Sequence, residues 1–300
     1  MKRRFLPLLL ALLLLLTGCK PGDVKFYNSF YGLDQFMTIQ LWGSGTTDIA
    51  KDLSKMIRSL EDVYDPLSET PAKGQTLLLQ ARTLSHRTGG AYSPTLYALK
   101  EVWGLPTLEY KTPTQDQIDQ ALSEERQDLT DLLPGYAADK CVEYLSGQPV
   151  DRGYLELGTT VMTYGHKPDG TPWSVSIHSP WGTGPVGTVS VTGTTAVSTA
   201  GSYQYWFELD GQRRFPILDP ATGRPADAGL ATVSVICQSG TTAQGLAHAL
   251  FVMGLEDGTR LWQRSRDFEA VFILSDGTIH ATEGAHFTGA PCTLISRPEK

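Results

Sequence analysis

Histidine, cysteine and carboxylate side chains do most covalent and metal chemistry, and in this 300-residue chain they are scattered. The sequence has no G-x-S-x-G elbow, no H-E-x-x-H, no P-loop and no dinucleotide-binding fingerprint. His280 and His286 stand six residues apart beside Glu283. That spacing does not place two imidazoles on one helical face, so they read as loop histidines. Gln244 and His248, by contrast, would share a face one turn apart on a helix. Cys141, Cys237 and Cys292 form an odd set with no C-x-x-C pair, which leaves the question of a disulfide open. Cys237 closes the apolar run Val233 to Ile236 and reads as a small core residue. The six tryptophans follow no pattern and read as packing residues.

The elements that must position these side chains change character along the chain. In the first half, Ile49, Leu53, Met56, Ile57, Leu60 and Tyr64 recur at spacings of three and four, which predicts an amphipathic helix ending before Pro66. Further helices are expected from Thr76 to Arg87, after Ser93-Pro94, after Thr112-Pro113, and from Tyr136 to Leu145 behind Pro134-Gly135. The second half reads as strands: Leu155 to Met162, Trp173 to Ile177, Thr188 to Val191 and Thr195 to Ser198, then Tyr203 to Glu208, Leu230 to Ile236, Ala270 to Leu274 and Thr278 to His280. Asp210-Gly211 and Asp276-Gly277 suit tight hairpins. One helix from Thr242 to Gly254 and another from Thr259 to Arg264 interrupt the strands. A helical first half followed by mostly antiparallel strands predicts a single α+β domain.

The N-terminus carries a separate signal. Lys2, Arg3 and Arg4 precede a leucine-rich run from Leu6 to Leu16, and Leu16-Thr17-Gly18-Cys19 closes it. Eleven residues rise only about 16 Å as a helix, too short for a hydrocarbon core of about 30 Å. The segment is read as a signal peptide over residues 1–18. Its end resembles the lipobox of bacterial lipoproteins, which implies acylation of Cys19 and an extracytoplasmic, lipid-anchored chain. Residues 19–28 would be a tether, 29–290 the folded domain and 291–300 a C-terminal tail. The formal charge of −7 becomes −10 once the three basic residues of the signal are removed. With no cluster of Lys or Arg to displace counterions, nucleic acid is excluded as a partner.

Several short segments, taken in order, carry more than any one of them. They are Thr88-Gly89-Gly90-Ala91-Tyr92-Ser93-Pro94-Thr95, then Asp128-Leu129 through Gly135-Tyr136-Ala137-Ala138-Asp139, Glu156-Leu157-Gly158 and Thr199-Ala200-Gly201-Ser202-Tyr203. Ile217-Leu218-Asp219-Pro220-Ala221-Thr222-Gly223-Arg224-Pro225 and the helix ending Ala249-Leu250-Phe251-Val252-Met253-Gly254 complete the series. Together they resemble the FAD:protein FMN transferase family, also called the ApbE family, over roughly residues 30 to 287. The resemblance implies an α+β fold that binds FAD and Mg²⁺ and moves FMN onto a Thr or Ser of an acceptor flavoprotein in a membrane redox complex. The alternative is a non-catalytic flavin-binding lipoprotein of the same family.

Residue by residue, the resemblance implies flavin contacts at Tyr64, Ala91, Tyr92, Ser93, Asp128 and Leu218, with Ser93 standing where the family usually has Asp. It implies metal contacts at Gln244 and His248 and through the backbone carbonyl of Leu133. At these places the family pattern is altered: D-A-x-x-T is Gln244-Gly245-Leu246-Ala247-His248, and A-K-G is Leu133-Pro134-Gly135. G-G-[ND] is Gly158-Thr159-Thr160, and the His of H-[IV]-[IL]-D-P is Pro216. An amide binds Mg²⁺ more weakly than a carboxylate, and imidazole suits softer metals. Asp139 is expected on a helix surface, and no catalytic residue is assigned.

Overall fold

The computed structural model describes residues 25–64, 75–182, 184–201, 206–209 and 211–298. The signal segment, Cys19 and residues 20–24 of the tether lie outside the described residues. Fourteen strands are described: β1 (Lys25–Gly32), β2 (Gln35–Gly43), β3 (Val150–Leu157), β4 (Thr160–Tyr164), β5 (Trp173–His178), β6 (Pro185–Val191) and β7 (Thr195–Ala200). They continue with β8 (Phe207–Leu209), β9 (Gln212–Arg214), β10 (Leu230–Cys237), β11 (Phe268–Leu274), β12 (Ile279–Thr282), β13 (Phe287–Gly289) and β14 (Thr293–Ile295). Six α-helices accompany them: α1 (Thr46–Tyr64), α2 (Gln75–Arg87), α3 (Tyr97–Val102), α4 (Gln115–Ser123), α5 (Leu133–Leu145) and α6 (Gly240–Arg264).

Nine strands form the central sheet in the order β1-β2-β3-β4-β7-β10-β11-β12-β14. All its pairs are antiparallel except β12 with β14. Strand side chains alternate between faces, and the core divides accordingly. Val233, Val235, Ala270 and Phe272 join the main core with helices α1, α2, α5 and α6. Ile236, Val271 and Ile273 point the other way, into a second core with Trp173, Val175 and Val189 of a three-stranded sheet, β13-β6-β5. Strand β10 is buried along its whole length because both of its faces are covered. The α+β class therefore holds, and among the described residues no helix is long and apolar enough to cross a membrane.

Several boundaries differ from the sequence reading. The first half is not only helical, since β1 and β2 build one edge of the central sheet. Their hairpin turns on Leu33 (φ 51°) and Asp34 (φ 55°), both left-handed, without the Asn-Gly or Asp-Gly pair that announces such a turn. Strand β1 takes up the last residues of the expected tether, and β14 lies within the expected tail. The run Leu155 to Met162 is two strands, broken at Gly158-Thr159, and the expected strand at Tyr203 is described only from residue 206. Helix α3 starts at Tyr97, because the Ser93 hydroxyl bonds Thr95 in place of capping a helix. Helix α4 starts behind Thr114, which forms a capping box with Gln117.

Two glycines set the helix packing. Pro134 and Gly135 fall inside α5, and a Cβ on Gly135 would stand 2.2 Å from the Gly240 carbonyl oxygen at the start of α6. The two helices can approach this closely only through glycine. Helix α6 is broken at Gly254, as the sequence predicts: its φ of 75° and ψ of −175° are not helical, two helical stretches meet there at a kink, and a Cβ would meet Ala228 oxygen at 2.9 Å. Gly182, Gly184 and Gly187 have G-x-G-x-x-G spacing, but they lead into strand β6 and not into a helix N-terminus that could bind an anion.

Candidate flavin-nucleotide cleft

The cleft floor is made where the start of α6 meets α5 and the ends of β4 and β7. Ser239 caps α6, accepting from Thr242 N–H at 3.2 Å. Asp139 of α5 completes the cap. Its carboxylate accepts from Gly240 N–H at 2.6 Å, Thr241 N–H at 3.0 Å, and the Ser239 and Thr241 hydroxyls at 2.9 and 2.7 Å. Asp139 is thus no surface residue. It joins two helices and places negative charge at the positive end of α6.

One turn into α6, Gln244 is 2% exposed. Its Oε1 accepts from the Thr160 hydroxyl at 2.9 Å and the Thr159 hydroxyl at 3.2 Å. Thr160 is in turn 2.8 Å from the Ser198 hydroxyl across the β4–β7 pair. On its other side the Gln244 amide nitrogen lies 3.3 Å from His248 Nε2. An amide nitrogen can only donate, so His248 Nε2 accepts and the imidazole proton sits on Nδ1, 3.9 Å from Asp131 Oδ2. Burial pushes the His248 pKa below its ordinary value, Asp131 opposes this and Lys100 adds to it.

Lys100 of α3 ends this chain of contacts. Its ammonium is 2.7 Å from Asp131 and 2.8 Å from Asp128, with 11% of its side chain exposed. Burial disfavours the charge, but the two carboxylates outweigh it and raise the Lys100 pKa above the usual lysine value. Burial likewise disfavours the Asp131 carboxylate, yet Lys100 and then His248 hold its pKa below normal. Asp128 also accepts from Thr130 N–H and the Thr130 hydroxyl, at 2.8 and 2.5 Å.

Three cavities follow this floor. A chamber of about 250 Å³ is lined by Asp131, Pro134, Thr159, Pro216, Gln244 and His248, among others. It shares Asp34, Gln35, Thr159, Thr199 and Gly201 with a chamber of about 790 Å³ between the central and three-stranded sheets. Glu156, His178 and Thr232 face this larger space, and Thr232 has a buried hydroxyl with no partner among the described residues. Burial pushes the Glu156 carboxyl up, with His178 opposing. At the other end, Asp131, Ile217 and His248 also line a small cavity of about 10 Å³. The three are neighbours that share wall residues, and the largest by itself has the size of a nucleotide site.

The small cavity gathers residues that the resemblance selected. Ala91, Tyr92, Ser93, Leu218 and His248 all line it, beside Lys100. The Tyr92 hydroxyl is buried with no partner among the described residues, and burial, then Asp131 and Asp128, raises its pKa. Asp128 stands behind Lys100, one contact from the cavity wall. Tyr64 is apart from the three cavities, edge-on to Tyr136 with ring centroids 5.7 Å apart. Leu133 is buried at the first residue of α5, while Pro134 reaches the cleft. Gln244 and His248 share a face, as their spacing requires. His280 lies in β12 and His286 in a left-handed turn, and among the described residues neither belongs to a cluster of three His, Cys, Asp or Glu side chains. Cys141, Cys237 and Cys292 are free thiols.

The sequence reading missed Lys100 and Asp131. The available signal was a lysine directly after the apolar segment Tyr97 to Leu99, with two aspartates three residues apart later in the chain.

A helix-backed, mainly antiparallel sheet with a polar cleft at the strand ends is the flavinyl transferase fold. The apo flavinyl transferase ApbE of Pseudomonas stutzeri matches 88% of this chain and 96% of its own at a TM-score of 0.75 and 24% identity. The ApbE protein of Thermotoga maritima matches at 0.76 and 24% identity, over 87% of this chain and 97% of its own. The model of the ApbE family covers residues 50–272, and the chain belongs to that family. It is 30% identical to the FAD:protein FMN transferase of Treponema pallidum over 244 residues, 69% of this chain and 67% of the relative. To the enzyme of the same name from Vibrio cholerae it is 28% identical over 292 residues, 83% of this chain and 87% of the relative.

Proposed function

We propose that this protein is an FAD:protein FMN transferase, which holds FAD in the cleft and transfers its FMN half to a Thr or Ser hydroxyl of an acceptor flavoprotein. In that reaction the acceptor oxygen forms a bond to the FMN phosphorus and the bond from that phosphorus to the bridging oxygen breaks. AMP leaves with the bridging oxygen, the hydroxyl proton passes to solvent or to AMP, and nothing is oxidised or reduced. The observation that carries this reading is the chamber of about 790 Å³ that adjoins the polar floor. That chamber shares Thr159, Thr199 and Gly201 with the one lined by Gln244 and His248, so a nucleotide held in it lies beside the floor of hydroxyls and amide, and Ala91, Tyr92 and Leu218 wall the small cavity beyond. No step is assigned to Mg²⁺, because Gln244 and His248 are committed to protein partners. The hydroxyls, the Gln244 amide and the cleft walls orient the nucleotide, and positioning supplies much of the barrier reduction in phosphoryl transfer.

The leucine-rich signal and Cys19 support export and lipid anchoring, and an acceptor in a membrane redox complex. Replacing Cys19 by Ala should abolish lipid labelling and leave an uncleaved precursor; normal labelling would rule out the anchor. The test of function uses the full chain in detergent with FAD and an acceptor flavoprotein. Covalent flavin fluorescence on the acceptor in a denaturing gel is the expected result. FAD-dependent stabilisation without labelling would support the non-catalytic flavin-binding alternative, and absence of both would overturn flavin binding altogether.

A further inference from the structure

The two side chains that the resemblance assigns to Mg²⁺, Gln244 and His248, do not fit a divalent cation, and the Leu133 carbonyl alone is no site for one. Gln244 Oε1 already accepts from two threonine hydroxyls, which uses both of its lone pairs. His248 Nε2 accepts from the Gln244 amide, and Nδ1 carries the proton that faces Asp131. Asp131, whose carboxylate is 3.9 Å from His248 Nδ1, is held by the Lys100 ammonium at 2.7 Å. Among the described residues no three His, Cys, Asp or Glu side chains converge as a metal site. Lys100, Asp128 and Asp131 together keep one negative charge, which a cation would seek. Yet the space between those carboxylates is filled by the ammonium, 2.7 and 2.8 Å from them. A divalent ion would have to break the Thr–Gln–His hydrogen bonds and sit beside a fixed positive charge.

We infer that the network running from Thr160 through Gln244, His248 and Asp131 to Lys100 replaces a metal site, so that this chain binds flavin nucleotide without a divalent cation. The statement about flavin rests on the proposed function; the exclusion of the metal does not. In place of a mobile ion that orders the site when it arrives, the floor is ordered in advance by hydrogen bonds and by the ion pairs of Lys100 with Asp128 and Asp131. Lys100 acts here as a positioning residue, since it withdraws Asp131 from ligation and fixes its carboxylate.

Two measurements on the full chain in detergent test this separately. In the first, FAD is titrated by fluorescence in EDTA, in Mg²⁺ and in Mn²⁺. Dissociation constants that agree within about twofold support the inference, and a tightening of about tenfold or more by either metal overturns it. In the second, the electron paramagnetic resonance of free Mn²⁺ is followed as FAD-free protein is added. An undiminished signal with the wild type is expected, and a loss of signal at equimolar protein overturns the exclusion. The double variant Gln244→Asp with His248→Thr supplies a carboxylate and a hydroxyl and should bind Mn²⁺ in the same assay. Should that variant not fold, the wild-type arm still decides. Absence of FAD binding in every buffer would sink the flavin reading, while the Mn²⁺ arm would still decide the fate of the metal.

Discussion

Lys100 and Asp131 form an ion pair at 2.7 Å in the wall of the cleft, although α3 and the turn before α5 lie 31 positions apart in sequence. Removing the ammonium leaves the buried carboxylate of Asp128 and the half-buried one of Asp131 without their cation. Lys100→Met should therefore cost about 3–5 kcal/mol at pH 7, a fall in melting temperature of roughly 10 °C. The deficit should shrink as pH drops toward 4 and Asp131, no longer held below the ordinary carboxylate range by Lys100, takes up a proton, which thermal scans of both proteins across that range would reveal. A deficit under about 1 kcal/mol at pH 7 would mean that the pair is solvated in solution.

His248 gives the fold an acid sensitivity of its own. Its pKa is pushed below the ordinary 6.5, first by burial, with Lys100 adding and Asp131 and Asp128 opposing. The unfolded chain therefore takes up a proton that the folded chain resists. Stability from this group is complete above about pH 6.5 and is lost as pH falls, by up to about 1.4 kcal/mol per pH unit. Urea unfolding at several pH values should show His248→Gln with a flatter slope than the wild type between pH 6.5 and 5. Equal slopes would assign the sensitivity elsewhere.

The contact between α5 and α6 is made backbone to backbone. Gly135→Ala places a Cβ 2.2 Å from the Gly240 carbonyl oxygen, and a backbone atom cannot swing aside. The expected loss is about 1–3 kcal/mol, the usual cost of overpacking. Gly147, past the end of α5, has only Tyr144 oxygen at 3.8 Å near its would-be Cβ, and Gly147→Ala should change stability by less than about 0.5 kcal/mol. Chemical denaturation of the two variants side by side tests this account of the packing.

Asp139 ties the same helices together by charge. Asp139→Ala strips partners from Gly240 N–H, Thr241 N–H and two hydroxyls at the start of α6. A loss of about 2–3 kcal/mol is expected, with Asp139→Asn closer to wild type because it keeps an acceptor. If the cap positions the floor, FAD affinity should fall along with stability in Asp139→Ala. Unchanged FAD affinity would separate the cap from the cleft.

If the cleft binds FAD, a hundredfold excess over the dissociation constant should stabilise the folded chain by about 2.7 kcal/mol. Differential scanning fluorimetry should then show a rise of roughly 5–10 °C. No rise with FAD, FMN or ADP would leave the cleft without a flavin nucleotide.

The sequence by itself determined the α+β class, because period-3.6 and period-2 patterns are local and survive in any context. It also determined the face shared by Gln244 and His248, and the order of the segments around Tyr92, Asp128 and Leu218 that place the chain in its family. It could not show the β1–β2 hairpin, since Leu33 and Asp34 take left-handed turns that only the completed sheet edge enforces. Pro134 and Gly135 looked like a helix boundary, yet the nearby Gly240 backbone makes glycine necessary inside α5. Asp139 looked like a surface residue until α6 presented its N-terminus to it. The condition of the cleft floor was decided last, and by tertiary structure alone. Whether Gln244 and His248 were free donors depended on Thr160, Asp131 and Lys100, which come from three other elements. Local pattern records a residue's own chain neighbours, whereas a buried charge or amide is defined by whatever the fold packs against it.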